Sequence, residues 1–135
     1  MQLGTLSGNP IAATAGLKTM EILRREGSYD RLRTTGQKLQ DMQTSALAEA
    51  GIAHQICGDE TLFDIYFTQN TIRDYRTAKH DNPERNTQYN DALRANGIFK
   101  SPGKLYPSLA ITDTDIEQTR MAVLQAVRSI QWNAK

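Results

Sequence analysis

The spacing of apolar and polar positions along the chain predicts long helices near both ends. Small and apolar residues surround the first half of a segment from about Pro10 to Arg25, which is typical of a helix buried on all sides. The next helix, about Tyr29 to Ala50, carries apolar residues at spacings of seven, three and four. The last helix follows Thr112 and runs to about Trp132, with a single apolar face.

The middle of the chain predicts strands. Ile52–Ile56 and the β-branched and aromatic run Thr61–Thr68 indicate an antiparallel hairpin, with Cys57–Glu60 as its turn. The remaining expected elements are a polar loop over Gln69–Pro83 with one helical turn near Asp74–Arg76, a helix over Glu84–Asn96, and short strands over Ile98–Lys100 and Leu105–Ile111.

This order of elements predicts an α+β fold. A small, mostly antiparallel sheet is expected to be covered on one face by helices. Two overlapping cap patterns precede the last helix, and Thr114 with Glu117 matches the capping-box spacing.

Composition narrows the functional classes. The chain has 135 residues, 39% of them hydrophobic, with 16 basic and 15 acidic residues and a net charge of +1. That balance gives no electrostatic footprint for nucleic acid or an anionic membrane. A single cysteine suits a reducing compartment, and we find neither a signal peptide nor a membrane span. We therefore expect a cytoplasmic protein without nucleic-acid or membrane partners.

Metal and nucleophile chemistry are weakly supported. His54, Cys57 and His80 provide ligand types but no completing pair, so no metal site is expected. Cys57 is interpreted as a small buried hydrophobic residue, because nothing in the sequence places a base beside it. No catalytic residue is assigned.

The most informative stretch is Gly4-Thr5-Leu6-Ser7-Gly8-Asn9-Pro10. Asn9-Pro10 is typical of an N-cap followed by proline in the first helical turn. The glycines and hydroxyls ahead of it suit contact with an anion through backbone N–H groups and a side-chain oxygen. The alternative is that these glycine, serine, asparagine and proline residues only mark the start of a helix and bind nothing.

The whole run, with the small-residue segment Ile11–Leu17 after it, resembles the class III, fold-type I pyridoxal-phosphate (PLP) aminotransferases. The Leu-Ser-Gly-Asn-Pro form is most similar to the glutamate-1-semialdehyde aminomutase branch, and the resemblance extends to about Ser129. It implies that residues 1–10 are a phosphate-contacting loop and residues 11–135 the C-terminal small domain. Gly4 and Thr5 are implied to reach the phosphate of PLP bound by the other subunit of a homodimer.

The resemblance also implies that the catalytic lysine lies upstream of Thr5, where this chain has too few residues to hold it. All six lysines follow the motif: Lys18, Lys38, Lys79, Lys100, Lys104 and Lys135. The aspartate that pairs with the pyridine nitrogen is expected upstream as well. We therefore expect a chain that lacks the cofactor domain, is inactive alone, and packs its first helix against that domain or a second subunit.

One segment departs from the aminomutase pattern. Ile111 stands where the branch has histidine in Ala-His-Thr, and Gly103–Tyr106 replaces a Phe-Glu stretch. Two interpretations are open. In the first, the enzyme acts on a different amino substrate, which Lys104 or Tyr106 faces; in the second, the segment is only a structural strand and turn. The sequence leaves open whether the reaction is that of an aminotransferase or an aminomutase. The alternative function is a stand-alone α+β interaction or scaffolding module derived from this domain.

Overall fold

A computed structural model describes Gly4 and residues 7–130 of the chain. Its elements are α1 (Pro10–Leu23), α2 (Ser28–Glu49), β1 (Gln55–Asp59), β2 (Leu62–Tyr66), α3 (Tyr75–Ala78), α4 (Pro83–Ala95) and α5 (Asp113–Ser129). The chain forms two compact units, Met1–Arg31 and Leu32–Lys135, and α2 crosses the division. Within the described residues, no helix combines the length and apolar character needed to cross a bilayer.

The first unit is dominated by α1, which contains no buried residue. Ile11, Leu17 and Met20 are 81%, 73% and 51% exposed. The predicted helix is confirmed, but its apolar side chains face solvent in this chain. Burying such a side chain contributes about 1.5–3 kcal/mol to stability. The side chains of α1 do not make this contribution here, because they are exposed.

The second unit has its own hydrophobic core, built from α2, β2, α4 and α5. Its buried members are Ala46, Leu47, Ile52, Ile65, Phe67, Tyr89, Leu93, Val123, Ala126 and Val127. Phe67 and Tyr89 pack edge to face with ring centroids 5.5 Å apart. The buried Tyr89 hydroxyl donates to Gln43 Oε1 at 3.3 Å, and Gln43 Nε2 donates to the Leu39 carbonyl. The Tyr89 hydroxyl and the Gln43 amide are thereby paired inside the core.

The antiparallel hairpin of β1 and β2 contributes one apolar face to this core. Phe63, Ile65 and Phe67 are buried at every second position, whereas the side chains between them are not. Since the helices pack on that face, the predicted α+β architecture is confirmed.

The predicted hairpin turn is wrong. Cys57–Asp59 belong to β1, with Cys57 opposite Asp64 and Gly58 opposite Phe63, so the turn lies at Glu60 and Thr61. Gly58 has φ of 126°, and a Cβ there would overlap the Leu62 carbonyl. The glycine permits a close cross-strand approach within β1, which the sequence pattern cannot distinguish from a turn.

The two short strands predicted over Ile98–Lys100 and Leu105–Ile111 do not form. Only Leu105 pairs, through an isolated bridge to Phe63 with N···O distances of 3.2 and 2.7 Å. Pro102 and Pro107 have no N–H to donate to a ladder, and side chains bind the carbonyls of this segment instead.

The cap predicted for α1 is confirmed, since Asn9 caps this helix and Pro10 follows it. Asn82 and Pro83 take the same positions at the start of α4, although the sequence analysis assigned both to a loop. The capping box of α5, however, is formed by Thr112 and Asp115, not by Thr114 and Glu117. Glu117 pairs with Arg120 one turn along. Trp132, the predicted helix end, lies outside the described residues.

A close approach of α2 to the hairpin turn generates the first prediction. A Cβ on Gly36 would overlap the carbonyl oxygen of Glu60. Because backbone atoms must move to relieve that overlap, we expect Gly36→Ala to lower the free energy of unfolding by about 1–3 kcal/mol in urea titrations.

The matched control is Gly16→Ala in α1. A Cβ at Gly16 meets nothing within 4 Å, so this change is expected to be neutral or to stabilise α1 through helix propensity. A Gly36→Ala protein as stable as the wild type would contradict the packing described here.

Candidate functional site

The loop ahead of α1 contains the predicted phosphate contacts. Gly4 is exposed, and its carbonyl accepts the Ser7 N–H at 3.0 Å, which closes a tight turn. A Cβ on Gly4 would lie 2.9 Å from Ser7 Oγ. Gly8 has φ of 80°, which redirects the chain into the helix. Thr5, the other predicted contact, lies outside the described residues.

The N-terminus of α1 is closed by its own cap. Asn9 Oδ1 accepts the N–H groups of Ile11 and Ala12 at 2.9 and 3.2 Å, and the Asn9 carbonyl accepts that of Ala13. Pro10 has no N–H. The Ile11, Ala12 and Ala13 donors that a helix often offers to an anion are therefore occupied by the cap residue itself.

Several described lysines are engaged in contacts of their own. Lys18 pairs with Glu21 at 2.8 Å, Lys38 with Asp113 at 3.5 Å, and Lys79 lies 4.9 Å from the centre of the Tyr75 ring. Lys100 is half-buried, and burial lowers the pKa of its ammonium group while Asp64 offsets part of that effect. None of these contacts resembles a lysine poised to bind a carbonyl substrate.

A polar network that the sequence did not indicate fixes the segment around Pro102. Lys100 Nζ donates to the carbonyls of Ser101 and Gly103, each at 2.9 Å. Asn90 Nδ2 donates to the Pro102 carbonyl at 3.1 Å and to Asn86 Oδ1 at 2.7 Å. Both hydrogens of the Asn90 amide are thus used, and its buried Oδ1 has no partner among the described residues.

Lys104 and Tyr106 follow this fixed segment. Both are exposed, and the Lys104 charge acts to lower the pKa of Asp64, which burial raises overall. The structure therefore leaves these two side chains accessible beside the hairpin. Their contact with a substrate stays a prediction.

Cys57 and the two histidines do not form a reactive cluster. Among the described residues, no group of three or more His, Cys, Asp or Glu side chains is arranged to hold a metal. Burial and the facing Asp64 carboxylate raise the pKa of the Cys57 thiol, which opposes thiolate formation. Cys57 is only partly buried, which corrects the prediction of a buried hydrophobic residue.

Comparisons with known proteins define the class. No protein-family model matches the chain. It is 35% identical over 132 residues to a glutamate-1-semialdehyde 2,1-aminomutase of Thermodesulfovibrio yellowstonii, a match that covers 96% of this chain and 31% of that protein.

Solved structures agree with that match. An omega-transaminase from Sphaerobacter thermophilus superposes with a TM-score of 0.79 at 31% identity, covering 95% of this chain and 30% of the transaminase. The FumI protein of Sphingopyxis sp. MTA144, solved in its PLP internal aldimine form, has the same fold with a TM-score of 0.73 at 17% identity, over 95% of this chain and 29% of its own.

The fold is therefore that of a segment of the aminotransferases. Within that class, the chain is homologous over nearly its whole length to part of glutamate-1-semialdehyde 2,1-aminomutase, and the resemblance stated from the sequence is confirmed. The chain spans about a third of the length of these relatives.

The Asn9 cap generates the second prediction. Asn9→Ala removes the side-chain acceptor of two amide hydrogens. We therefore expect the free energy that stabilises α1 to fall by about 1 kcal/mol and its first turn to fray. Hydrogen exchange of the Ile11 and Ala12 amides measures this directly. Asn9→Asp keeps an acceptor and is expected to retain their protection; equal exchange in all three proteins would contradict the cap.

The Cys57–Asp64 pair generates the third prediction. Removing the facing negative charge lowers the thiol pKa, so Asp64→Asn is expected to speed alkylation of Cys57 by iodoacetamide at mildly alkaline pH. The rate is followed by mass spectrometry, with Asp91→Asn as a control far along α4. The same rate for wild type and Asp64→Asn would show that Asp64 does not act on the thiol.

Proposed function

We propose that this chain is the C-terminal part of a class III PLP-dependent aminotransferase or aminomutase. The observation that carries the proposal is the match of 96% of the chain to about a third of an aminomutase, at 35% identity. In this proposal Gly4 and Thr5 contact the PLP phosphate across a dimer interface, and the Lys104–Tyr106 region lies on the substrate side.

The described part of the loop fits such a phosphate contact. Gly4 is exposed and brings no side chain between its backbone and an anion. Because Asn9 occupies the first amides of α1, the phosphate is held by the loop backbone and the Thr5 hydroxyl. Hydrogen bonds to a charged phosphate are stronger than neutral ones, so two or three of them retain a cofactor effectively.

The role of this chain is positioning. PLP supplies the electron sink for the reaction, and the protein supplies orientation and electrostatics. The loop residues anchor one end of the cofactor, while the hydrogen-bonded Lys100–Gly103 segment sets where Lys104 and Tyr106 stand. None of the six lysines matches the catalytic position, so the chain alone is expected to be inactive.

The exposed apolar side of α1 supports the proposal. Ile11, Leu17 and Met20 suit burial against a cofactor domain or the second subunit of a homodimer. A stand-alone interaction module would use the same surface for a different protein. The proposal includes the cytoplasmic location expected from the single cysteine and the charge balance.

The fourth prediction tests the phosphate contact. A chimera in which this chain replaces the matching segment of the Thermodesulfovibrio aminomutase is expected to copurify with PLP, measured by its visible absorbance. Thr5→Ala is expected to weaken PLP retention by roughly tenfold, since one hydrogen bond to a charged group is lost.

Ser7→Ala is the matched control, because it removes a nearby hydroxyl that has no assigned phosphate contact. A folded chimera whose PLP retention does not respond to Thr5→Ala would contradict the assigned contact. Keto-acid release above background by the 135-residue chain alone, with PLP and an amino donor, would contradict the expected inactivity.

A further inference from the structure

Two asparagine side chains on α4 connect the hairpin to the Lys100–Gly103 segment. Asn86 and Asn90 are four residues apart, so they lie on the same face of the helix. Asn90 Nδ2 donates to Asn86 Oδ1 at 2.7 Å and to the Pro102 carbonyl at 3.1 Å. Asn86 Nδ2 donates in turn to the Ile65 carbonyl of β2 at 3.2 Å. A continuous chain of hydrogen bonds, the Asn86–Asn90 connection, therefore runs from β2 through α4 to this segment.

The neighbours of the two amides fix which way each amide points. Asn86 Nδ2 faces the Asp81 carboxylate at 3.4 Å as well as the Ile65 carbonyl, and Asn90 Nδ2 likewise faces two oxygens. Reversing either amide would place its oxygen against two acceptors, which have no hydrogen to donate. Asp81 is itself held, because its Oδ1 accepts the Phe67 N–H at 2.6 Å. The connection therefore has a single arrangement, which is what a rigid support requires.

The Lys100–Gly103 segment depends on such a support because it has no regular structure. Lys100 closes it locally, since its Nζ binds carbonyls one and three residues further along the chain. Asn90 ties the segment to α4, and Asn86 ties Asn90 to the hairpin. We propose that Asn86 and Asn90 are positioning residues, which hold the Lys104–Tyr106 region on the substrate side of the enzyme without touching the substrate.

The connection is tested in the 135-residue chain without PLP. The Leu105 N–H donates to the Phe63 carbonyl at 2.7 Å, directly after the segment, so its hydrogen exchange reports how firmly the segment is held. Losing one hydrogen bond changes such an equilibrium by roughly fivefold. Asn90→Ala and Asn86→Ala are each expected to speed the exchange of Leu105 by that factor, whereas the α5 amides stay unchanged.

A double variant distinguishes one connection from two separate contacts. Because Asn86 acts through Asn90, Asn86→Ala is expected to speed the exchange of Leu105 no further in a protein that already carries Asn90→Ala. Asn86 is only partly buried, so Asn86→Ala tests the connection by itself should Asn90→Ala fail to fold.

Gln88→Ala is the matched control. It removes an exposed amide from the same helix, and the Nε2 of that amide donates to Glu84 Oε1 at 3.4 Å within α4. This bond does not reach the Lys100–Gly103 segment, so the exchange of Leu105 is expected to match that of the wild type.

The substrate role rests on the proposed function and is tested in the chimera with the Thermodesulfovibrio aminomutase. Asn86→Ala is expected to raise the KM for glutamate 1-semialdehyde by roughly fivefold, while kcat and PLP retention stay close to those of the unsubstituted chimera. A general loss of structure would instead lower kcat and PLP retention as well.

Different results would overturn the two parts of the proposal. Exchange of Leu105 that does not respond to Asn86→Ala, or that responds additively in the double variant, would overturn the connection. An unchanged KM in the folded Asn86→Ala chimera would overturn the positioning role. An unsubstituted chimera that neither retains PLP nor converts its substrate would contradict the proposed function and the positioning role with it, while the exchange of Leu105 still decides the connection.

Discussion

The apolar side chains of α1 are exposed, and this exposure limits how stable the helix can be in this chain. A helix of 14 residues is marginal in water even when its end is well capped, and most helical stability in proteins comes from packing. The Asn9 cap contributes only about 1 kcal/mol, while α1 has no buried residue. The sequence of α1 is therefore typical of a buried helix, whereas the helix has no buried residue in this chain.

The second unit stands in contrast, because its apolar residues are covered by its own elements. Tyr89 combines ring packing on Phe67 with a buried hydrogen bond to Gln43, and this joins the residue that follows β2 to α4 and α2. From that base, Asn90 and Lys100 hold the Pro102 segment in place. A rigid core thereby positions a chain segment that lacks regular structure, which suits a domain that orients residues for a site completed elsewhere.

Local signals predicted the helices and the hairpin but not the tertiary polar contacts. Asn9-Pro10 indicated the start of α1, and the β-branched and aromatic run Thr61–Thr68 indicated the strand that forms β2. Gly58 was misinterpreted because its role depends on the strand opposite it. The cap at Thr112 prevailed over the overlapping pattern two residues later, a choice that spacing alone does not determine.

The candidate site was predictable only through its motif. Gly4 and Thr5 are adjacent in sequence and carry a family resemblance, so one short segment was sufficient to propose a role. Asn86 on α4 donates from Nδ2 to the carbonyl of Ile65 on β2, 21 residues before it, and only folding brings these two residues together. The Asn90–Pro102 contact likewise joins α4 to a segment 12 residues away.

Hydrogen exchange of the α1 amides measures whether this helix lacks the surface that would cover it. The 135-residue chain is measured alone and then mixed with the complementary lysine-bearing segment of the Thermodesulfovibrio aminomutase. We expect weak protection of the α1 amides in the chain alone and an increase of at least roughly tenfold on mixing, whereas the protection of the α5 amides changes little. Protection of α1 that already equals that of α5 in the isolated chain, and does not respond to the added segment, would contradict it.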